Sequence, residues 1–308
     1  MRVQSPNADA VDAPLRFWRP FPREVADIIC GEGAVGAVPI HTHEVLQVML
    51  PASRFAVVDG RGTAVVVRPG QVHVAGPLEL HGARRLDDAP CAMRVILVAT
   101  DALPSLGAGL PALRRGGAAY DIHQAIVDDP DLYAELWGLI GELRGPLVAL
   151  ANVPRLLACL TRLLDGLAAH STRVPRPPAG RQAAGVGRVR DHLRAHIAEN
   201  RSLDELARVA GLSKFYLLRA FRRAHGVTPH EYQMQLRLAH AWRFIGEGRP
   251  LSRTTYDAGF ADQSHLTRRF AALFGVTPAR YARQLAVPPG AAPSGARGTD
   301  RSAAASAA

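Results

Sequence analysis

Two arginines, Arg219 and Arg268, stand at matching places in a segment that this chain writes twice. A guanidinium carries a rigid fork of N–H donors that can pair bidentately with the O6 and N7 edge of a guanine. Gln263 can take the two edge groups of an adenine, and Phe215 and Leu218 can meet thymine methyls. Ser264 and Thr267 lie on the same outward face. Ser213, Lys214, Arg222, Arg223 and Arg269 suit phosphate contacts, which position without specifying. For Arg219 and Arg268 a phosphate clamp is the plainer alternative. A second constellation lies far upstream. His41 and His43 are spaced i, i+2 and so share one strand face; His81 follows, and Gln47 stands close by. Such imidazoles can line a pocket or ligate a metal ion.

The first copy of the repeated segment runs Leu203-Asp204-Glu205-Leu206-Ala207, then Ala210-Gly211-Leu212, Leu217, Phe221 and Gly226-Val227-Thr228-Pro229 before Tyr232. The second runs Leu251, then Ala258-Gly259-Phe260, Leu266, Phe270 and Gly275-Val276-Thr277-Pro278 before Tyr281. The offset is 48 from Leu203 to Leu251 and from Gly211 to Gly259, and 49 from Leu217 to Leu266. One residue is therefore inserted in the turn region of the second copy. Shared spacing on this scale marks a duplicated supersecondary unit. In the first copy Ser202 predicts a helix cap and Glu205, three residues on, a capping box. Leu203, Leu206, Ala207 and Ala210 fall at helical spacing, and Gly211 can leave the helix at positive φ. Ser213 then caps a second helix with Leu217, Phe221 and Ala224 inward; in the second copy Leu266, Phe270 and Leu273 take that face. Helix, short Gly-containing turn and helix is the helix-turn-helix pattern. An ordinary helical hairpin in a core is the alternative for one copy alone.

Charge separates along the chain. Residues 181–285 hold 18 Lys+Arg against 8 Asp+Glu, which accounts for the whole formal charge of +10; residues 1–180 hold 17 against 18. A basic patch confined to the duplicated region is the electrostatic footprint of a phosphate-binding surface.

The run Gly259-Phe260-Ala261-Asp262-Gln263-Ser264-His265-Leu266-Thr267-Arg268-Arg269-Phe270, ending in Gly275-Val276-Thr277-Pro278-Ala279-Arg280-Tyr281, carries a specific resemblance. Residues 185–285 resemble the DNA-binding region of the AraC/XylS family of bacterial transcription regulators. The resemblance implies two helix-turn-helix units joined by a long helix, about Pro229 to Ile245, through Arg237, Ala239 and Ala241. One departure stands out: Thr254-Thr255 occupies the place of Leu206-Ala207, where the family usually has an apolar residue and then Ala. Two β-branched hydroxyl side chains at a helix crossing are expected to loosen the second unit.

The first half reads differently. Short β-rich runs at Leu46–Leu50, Phe55–Val58, Ala64–Val67, Val72–Ala75 and Met93–Ala99 are separated by turns at Asp59-Gly60, Arg61-Gly62 and Pro69-Gly70. They predict an antiparallel sandwich or small barrel. His41-Thr42-His43, Pro69-Gly70, Pro77 and His81 resemble the cupin-type pocket of many AraC/XylS members. That resemblance implies a jelly-roll barrel whose cavity binds a small effector, with His41, His43, Gln47, His81 and Trp18 as pocket candidates. It also implies no metal and no cofactor. The segment Phe17-Trp18-Arg19-Pro20-Phe21 is placed to act as the arm that folds over the effector in that family, or simply to pack on the barrel wall. Leu132, Leu136, Leu139, Ile140 and Leu143 form one helical stripe, and Leu156, Leu157, Leu160, Leu163, Leu164 and Leu167 a second. In the family such a pair makes a dimer interface; the alternative is a helical layer completing the core.

The expected organisation is multidomain. Residues 1–170 form an all-β, cupin-like jelly-roll barrel with a helical pair; 171–187 a linker; 188–285 an all-α double helix-turn-helix; and 286–308 a disordered tail. No nucleophile elbow, phosphate loop or HExxH is present, so no enzyme activity is expected. Neither a signal peptide nor a run of eighteen apolar residues is found. Cys30, Cys91 and Cys159 read as buried thiols in a reducing cytoplasm. The function expected is sequence-specific transcription regulation under a small-molecule effector. Its partners would be double-stranded DNA, RNA polymerase and a second copy of the chain. The alternatives are a metal-dependent cupin enzyme fused to a DNA-binding module, and a barrel that serves only for dimerisation.

Overall fold

The computed structural model describes residues 15–23, 25, 27–86, 91–100, 102, 124–144, 151–170, 172–173 and 181–286. The tail after Ala286 and residues 174–180 of the expected linker lie outside them.

Eleven strands form among the described residues: β1 (Arg16–Trp18), β2 (Ile28–Val35), β3 (Val38–His41), β4 (Val45–Pro51), β5 (Phe55–Asp59), β6 (Ala64–Val67), β7 (Gln71–Ala75), β8 (His81–Arg85), β9 (Cys91–Ala99), β10 (Ala125–Asp128) and β11 (Thr172–Arg173). They make two antiparallel sheets, one of seven strands in the order β1-β2-β9-β4-β7-β10-β11 and one of four in the order β3-β8-β5-β6. The larger sheet is buried on both faces, which is why its strands are almost continuously apolar. Leu46, Val48 and Leu50 of β4 face one core, with Ile28, Cys30, Ile96 and Val98. Val45 and Met49 face the other, with Met93, Val95, Phe55 and Val57.

The expected closed barrel is not what forms. The two sheets stay separate, and the reason lies at their edges. On β1 the Phe17 N–H donates to Gln284 Oε1 at 3.2 Å. On β3 the Ile40 carbonyl accepts from Gln235 Nε2 at 3.1 Å. Edge groups that barrel closure would pair with another strand are thus taken by helical side chains from the distant C-terminal half.

Helices α1 (Pro130–Glu142) and α2 (Val153–His170) cover the outer face of the large sheet. Asp129 caps α1 by accepting the Leu132 N–H. Leu132, Leu136, Leu139, Ile140 and Leu143 are buried, as are Leu156, Leu160, Leu163, Leu164 and Leu167. Both stripes are therefore spent on a layer within this chain.

The C-terminal half comprises α3 (Arg181–Ala195), α4 (Leu203–Ala210), α5 (Lys214–His225), α6 (Pro229–Gly246), α7 (Leu251–Asp257), α8 (Gln263–Phe274) and α9 (Pro278–Ala286). Residues 181–187, read as linker, are instead the first turns of α3, and Val186 is buried against the first unit. Arg188 fastens α3 to the end of α4 through the carbonyls of Val209 and Ala210, at 3.0 and 2.8 Å. Helix α6 is apolar on two sides. Tyr232 and Leu236 pack with the first unit, while Leu238, Ala241, Trp242 and Ile245 pack with the second unit and the large sheet. No helix among the described residues is long and apolar enough to cross a membrane.

Candidate nucleic-acid interface and cavity between the sheets

Ser202 Oγ accepts the Glu205 N–H at 3.2 Å and opens α4; Gly211, at φ 66°, closes it. The Glu205 carboxylate turns to Arg201 at 2.5 Å, which holds its pKa below the usual carboxylate range. The reciprocal capping box forms at Thr228 and Glu231 instead. Ser213, read as a phosphate contact, caps α5 by accepting the Tyr216 N–H at 3.4 Å. Leu217 and Phe221 are buried beneath α5. Its outer face exposes Lys214, Phe215, Arg219, Arg222 and Arg223, with Leu218 half-buried. Phe215 is 80 % exposed, so its ring is free to meet a partner on this face. Lys214 is paired with Asp204 at 2.6 Å.

In the second unit Asp262 caps α8 by accepting the His265 N–H at 2.7 Å. Leu266, Phe270 and Leu273 face inward; Gln263, Ser264, Arg268 and Arg269 are exposed and Thr267 is half-buried. The structure thus gathers the sequence-derived candidates on the outward faces of two equivalent helices. Thr254 and Thr255 sit fully buried at the crossing. Thr255 Oγ1 donates back to the Leu251 carbonyl at 2.7 Å, whereas Thr254 Oγ1 has no partner. Helix α7 starts at Pro250 with no side-chain cap. The two units are nevertheless tied together. Arg237 of α6, itself buried, donates to the carbonyls of Ile197 (3.0 Å) and Ala198 (3.3 Å) and to Asn200 Oδ1 (2.8 Å). Gly259, at φ 82°, approaches the same turn so closely that a Cβ would lie 2.7 Å from Ala198.

A cavity of about 290 Å³ lies between the sheets. Its β walls carry Phe17, Met49, Val57, Met93 and Val95, its polar groups include His41, His43, Gln47 and His81, and Trp242, Leu273, Phe274 and Gly275 close it from the helical half. Trp18 is not among the lining residues. It faces the opposite core, where its Nε1–H donates to the Leu143 carbonyl at 3.1 Å. Phe17, one residue earlier, takes the place assigned to it. Of the two readings of the Phe17–Phe21 segment, packing on the wall describes its first residues here: Arg16–Trp18 is an edge strand, and Phe17 packs edge-on against Trp242 and Tyr281 at 5.1 and 5.6 Å.

His41, His43 and His81 come together, with ring centroids 4.4–5.8 Å apart. Burial lowers the pKa of all three; that of His43 falls to about 3, with the neighbouring His41 adding to the effect. They are neutral at pH 7. His73, missed in the sequence, lies behind them at 6.5 Å from the His81 ring and is equally buried. Its alternating position in β7 is the signal that would have placed it on the inner face. Trp242 was missed as well, because only its contacts with both halves reveal its part.

The helical half has clear counterparts among known proteins. The helix-turn-helix domain family matches residues 206–284. The uncharacterized HTH-type transcriptional regulator YbfI of Bacillus subtilis is 28 % identical over 205 residues, 65 % of this chain and 71 % of that protein. The regulatory protein SoxS of Salmonella typhimurium is 34 % identical over 91 residues, which cover 29 % of this chain and 85 % of SoxS. The chain belongs to the AraC family of helix-turn-helix transcription regulators. A crystal structure of ToxT from Vibrio cholerae shares the fold over 88 % of this chain and 96 % of its own, with a TM-score of 0.50 and 11 % identity. As an AraC-family member the chain is a sequence-specific DNA-binding regulator and not an enzyme. Exposed α5 and α8 are the elements that a helix-turn-helix protein presents to the major groove.

Proposed function

We propose that this AraC-family regulator senses a small, largely apolar molecule in the cavity between its sheets and transmits occupancy to DNA through α6 and α8. One observation carries the reading: the cavity is walled jointly by strands and by Trp242, Leu273 and Phe274, and Leu273 also belongs to the buried face of the second recognition helix. A ligand there touches the DNA-binding half directly, so it can favour one placement of the units over another, as an effector must. The lining contains no Lys or Arg, so the polar end of the ligand meets imidazoles and the Gln47 amide. The cupin-like character of the sheets belongs to this reading.

Arg219, Arg268, Gln263, Phe215, Leu218, Ser264 and Thr267 read bases, while Lys214, Arg222, Arg223 and Arg269 meet phosphates and Ser213 offers its hydroxyl beside them. With α3 fastened to α4, the DNA-binding part is taken from residue 181 to 285 and the sensing part from 1 to 170. Dimerisation, if through α1 and α2, uses their outer faces, since the leucine stripes are buried. A cytoplasmic location and contact with RNA polymerase complete the proposal.

The test is a thermal-shift screen of small apolar compounds on the full-length protein, followed by DNA binding with and without each hit. A hit should shift DNA affinity, and Ala83→Trp, which fills the cavity, should abolish both effects while leaving DNA binding in place. Hits that act equally on Ala83→Trp would overturn the reading.

A further inference from the structure

The connection between β3 and β4 belongs to both halves of the molecule at once. His41 and His43 line the cavity. Glu44, the next residue, turns instead to α6. Its Oε1 lies 2.8 Å from His240 Nε2 and its Oε2 2.5 Å from Arg243 Nε. The backbone of the same connection is fastened to the same helix, since the Ile40 carbonyl accepts from Gln235 Nε2 at 3.1 Å. On the sheet side, the His43 carbonyl accepts the Leu78 N–H at 2.7 Å, and His43 Nδ1 lies 2.9 Å from the Val45 carbonyl. Residues 40–45 are therefore pinned between the cavity wall and α6. The partners of Glu44 are placed for it. The Nδ1 of His240 is buried with no hydrogen-bond partner, so the ring engages its surroundings through the nitrogen that meets Glu44. Arg243 also pairs with Glu247 at 2.5 Å, Glu247 with Arg249 at 2.8 Å, and Arg249 with Asp257 of α7 at 3.6 Å. Alternating charges thus run from the cavity wall to the first helix of the second unit.

Adhesion does not call for this arrangement, because Trp242 already joins the halves through an apolar contact with Phe17. The Glu44 side chain is only 16 % exposed, and taking charges out of water costs much of what their attraction returns. What such a contact gives is direction: charge-assisted hydrogen bonds hold their strength only over a narrow range of distance and angle. We infer that Glu44 is a positioning residue. It fixes the cavity-lining connection to α6, so that a shift of His41 and His43 reaches the helix that joins the two helix-turn-helix units. That a bound molecule causes such a shift rests on the sensing function proposed above; the coupling of residues 40–45 to the DNA-binding half does not.

Coupling is reciprocal, so DNA must be felt at the connection without any compound in the cavity. The experiment is amide hydrogen exchange of the full-length protein on peptides covering residues 40–47, free and bound to a site selected from random DNA. In the wild-type protein DNA should change exchange there by about fivefold or more. Glu44→Gln and Arg243→Gln break the contact from opposite sides. Each should keep DNA affinity within about threefold of wild type and lose that change. Gln284→Ala is the control, because it breaks a bond between the halves at β1 and should retain the change. Exchange that DNA leaves unaltered in the wild-type protein would overturn the role, and so would a change that survives both Glu44→Gln and Arg243→Gln. Equal loss in Gln284→Ala would also overturn it, by making Glu44 one clip among several. The wild-type comparison decides even where a variant fails to fold. If exchange behaves as expected while no compound from the screen shifts DNA affinity, the sensing reading fails and the positioning role stands.

Discussion

Arg219 and Arg268 are exposed at equivalent places on α5 and α8, and neither guanidinium has an ion-pair partner among the described residues. Replacement by Ala is expected to weaken binding by about 1–3 kcal/mol and to relax preference at one base position each. Binding to a panel of single-base site variants checks this; an equal loss on all variants would make that arginine a phosphate clamp. Phe215 gives a complementary test. At 80 % exposure, Phe215→Ala should change stability by no more than about 0.5 kcal/mol while lowering DNA affinity. These residues were legible in the sequence because the repeat itself separates inward from outward positions. The cavity was legible only in part. His41, His43, Gln47 and His81 line it, but Phe17 and Trp18 were exchanged, since a three-residue strand carries no pattern long enough to set which aromatic faces which core.

At the scale of elements, the threonine pair divides into two unlike members. Thr254→Val removes a buried hydroxyl with no partner and should raise stability by about 1 kcal/mol, whereas Thr255→Val breaks the bond to the Leu251 carbonyl and should lower it by about 1 kcal/mol. Urea denaturation of the two variants decides. If Thr254→Val were the destabilising change, the hydroxyl would have a role at this crossing that its geometry does not show. The same scale explains the barrel expectation. Strand positions followed from apolar runs and turn residues, but whether two sheets close depends on who satisfies their edges. Here Gln235 and Gln284 do so from helices more than a hundred residues away, and no local pattern announces it.

The molecule as a whole is held together at one seam. Trp242 stacks on Tyr281 with centroids 3.9 Å apart and meets Phe17, Phe270 and Phe274, while the turn after α5 presses on the β5–β6 turn so closely that a Cβ on Gly226 would overlap the Gly60 carbonyl. Glu44 accepts from His240 Nε2 at 2.8 Å and pairs with Arg243 at 2.5 Å; although burial acts to raise it, these contacts hold the Glu44 carboxyl below the usual range. Trp242→Ala is expected to cost about 3–5 kcal/mol by denaturant unfolding, and a cost near zero would mean that the two halves do not share a core. Both recognition helices thus stand on a common base, and both should engage DNA. The most direct measurement is a hydroxyl-radical footprint of the full-length protein on a site selected from random DNA, taken across 50–200 mM salt. Protection of two segments about 34 Å apart on one face of the duplex is expected, with affinity falling about 10³–10⁵-fold over that salt range. Protection of a single segment, or an affinity indifferent to salt, would contradict the account.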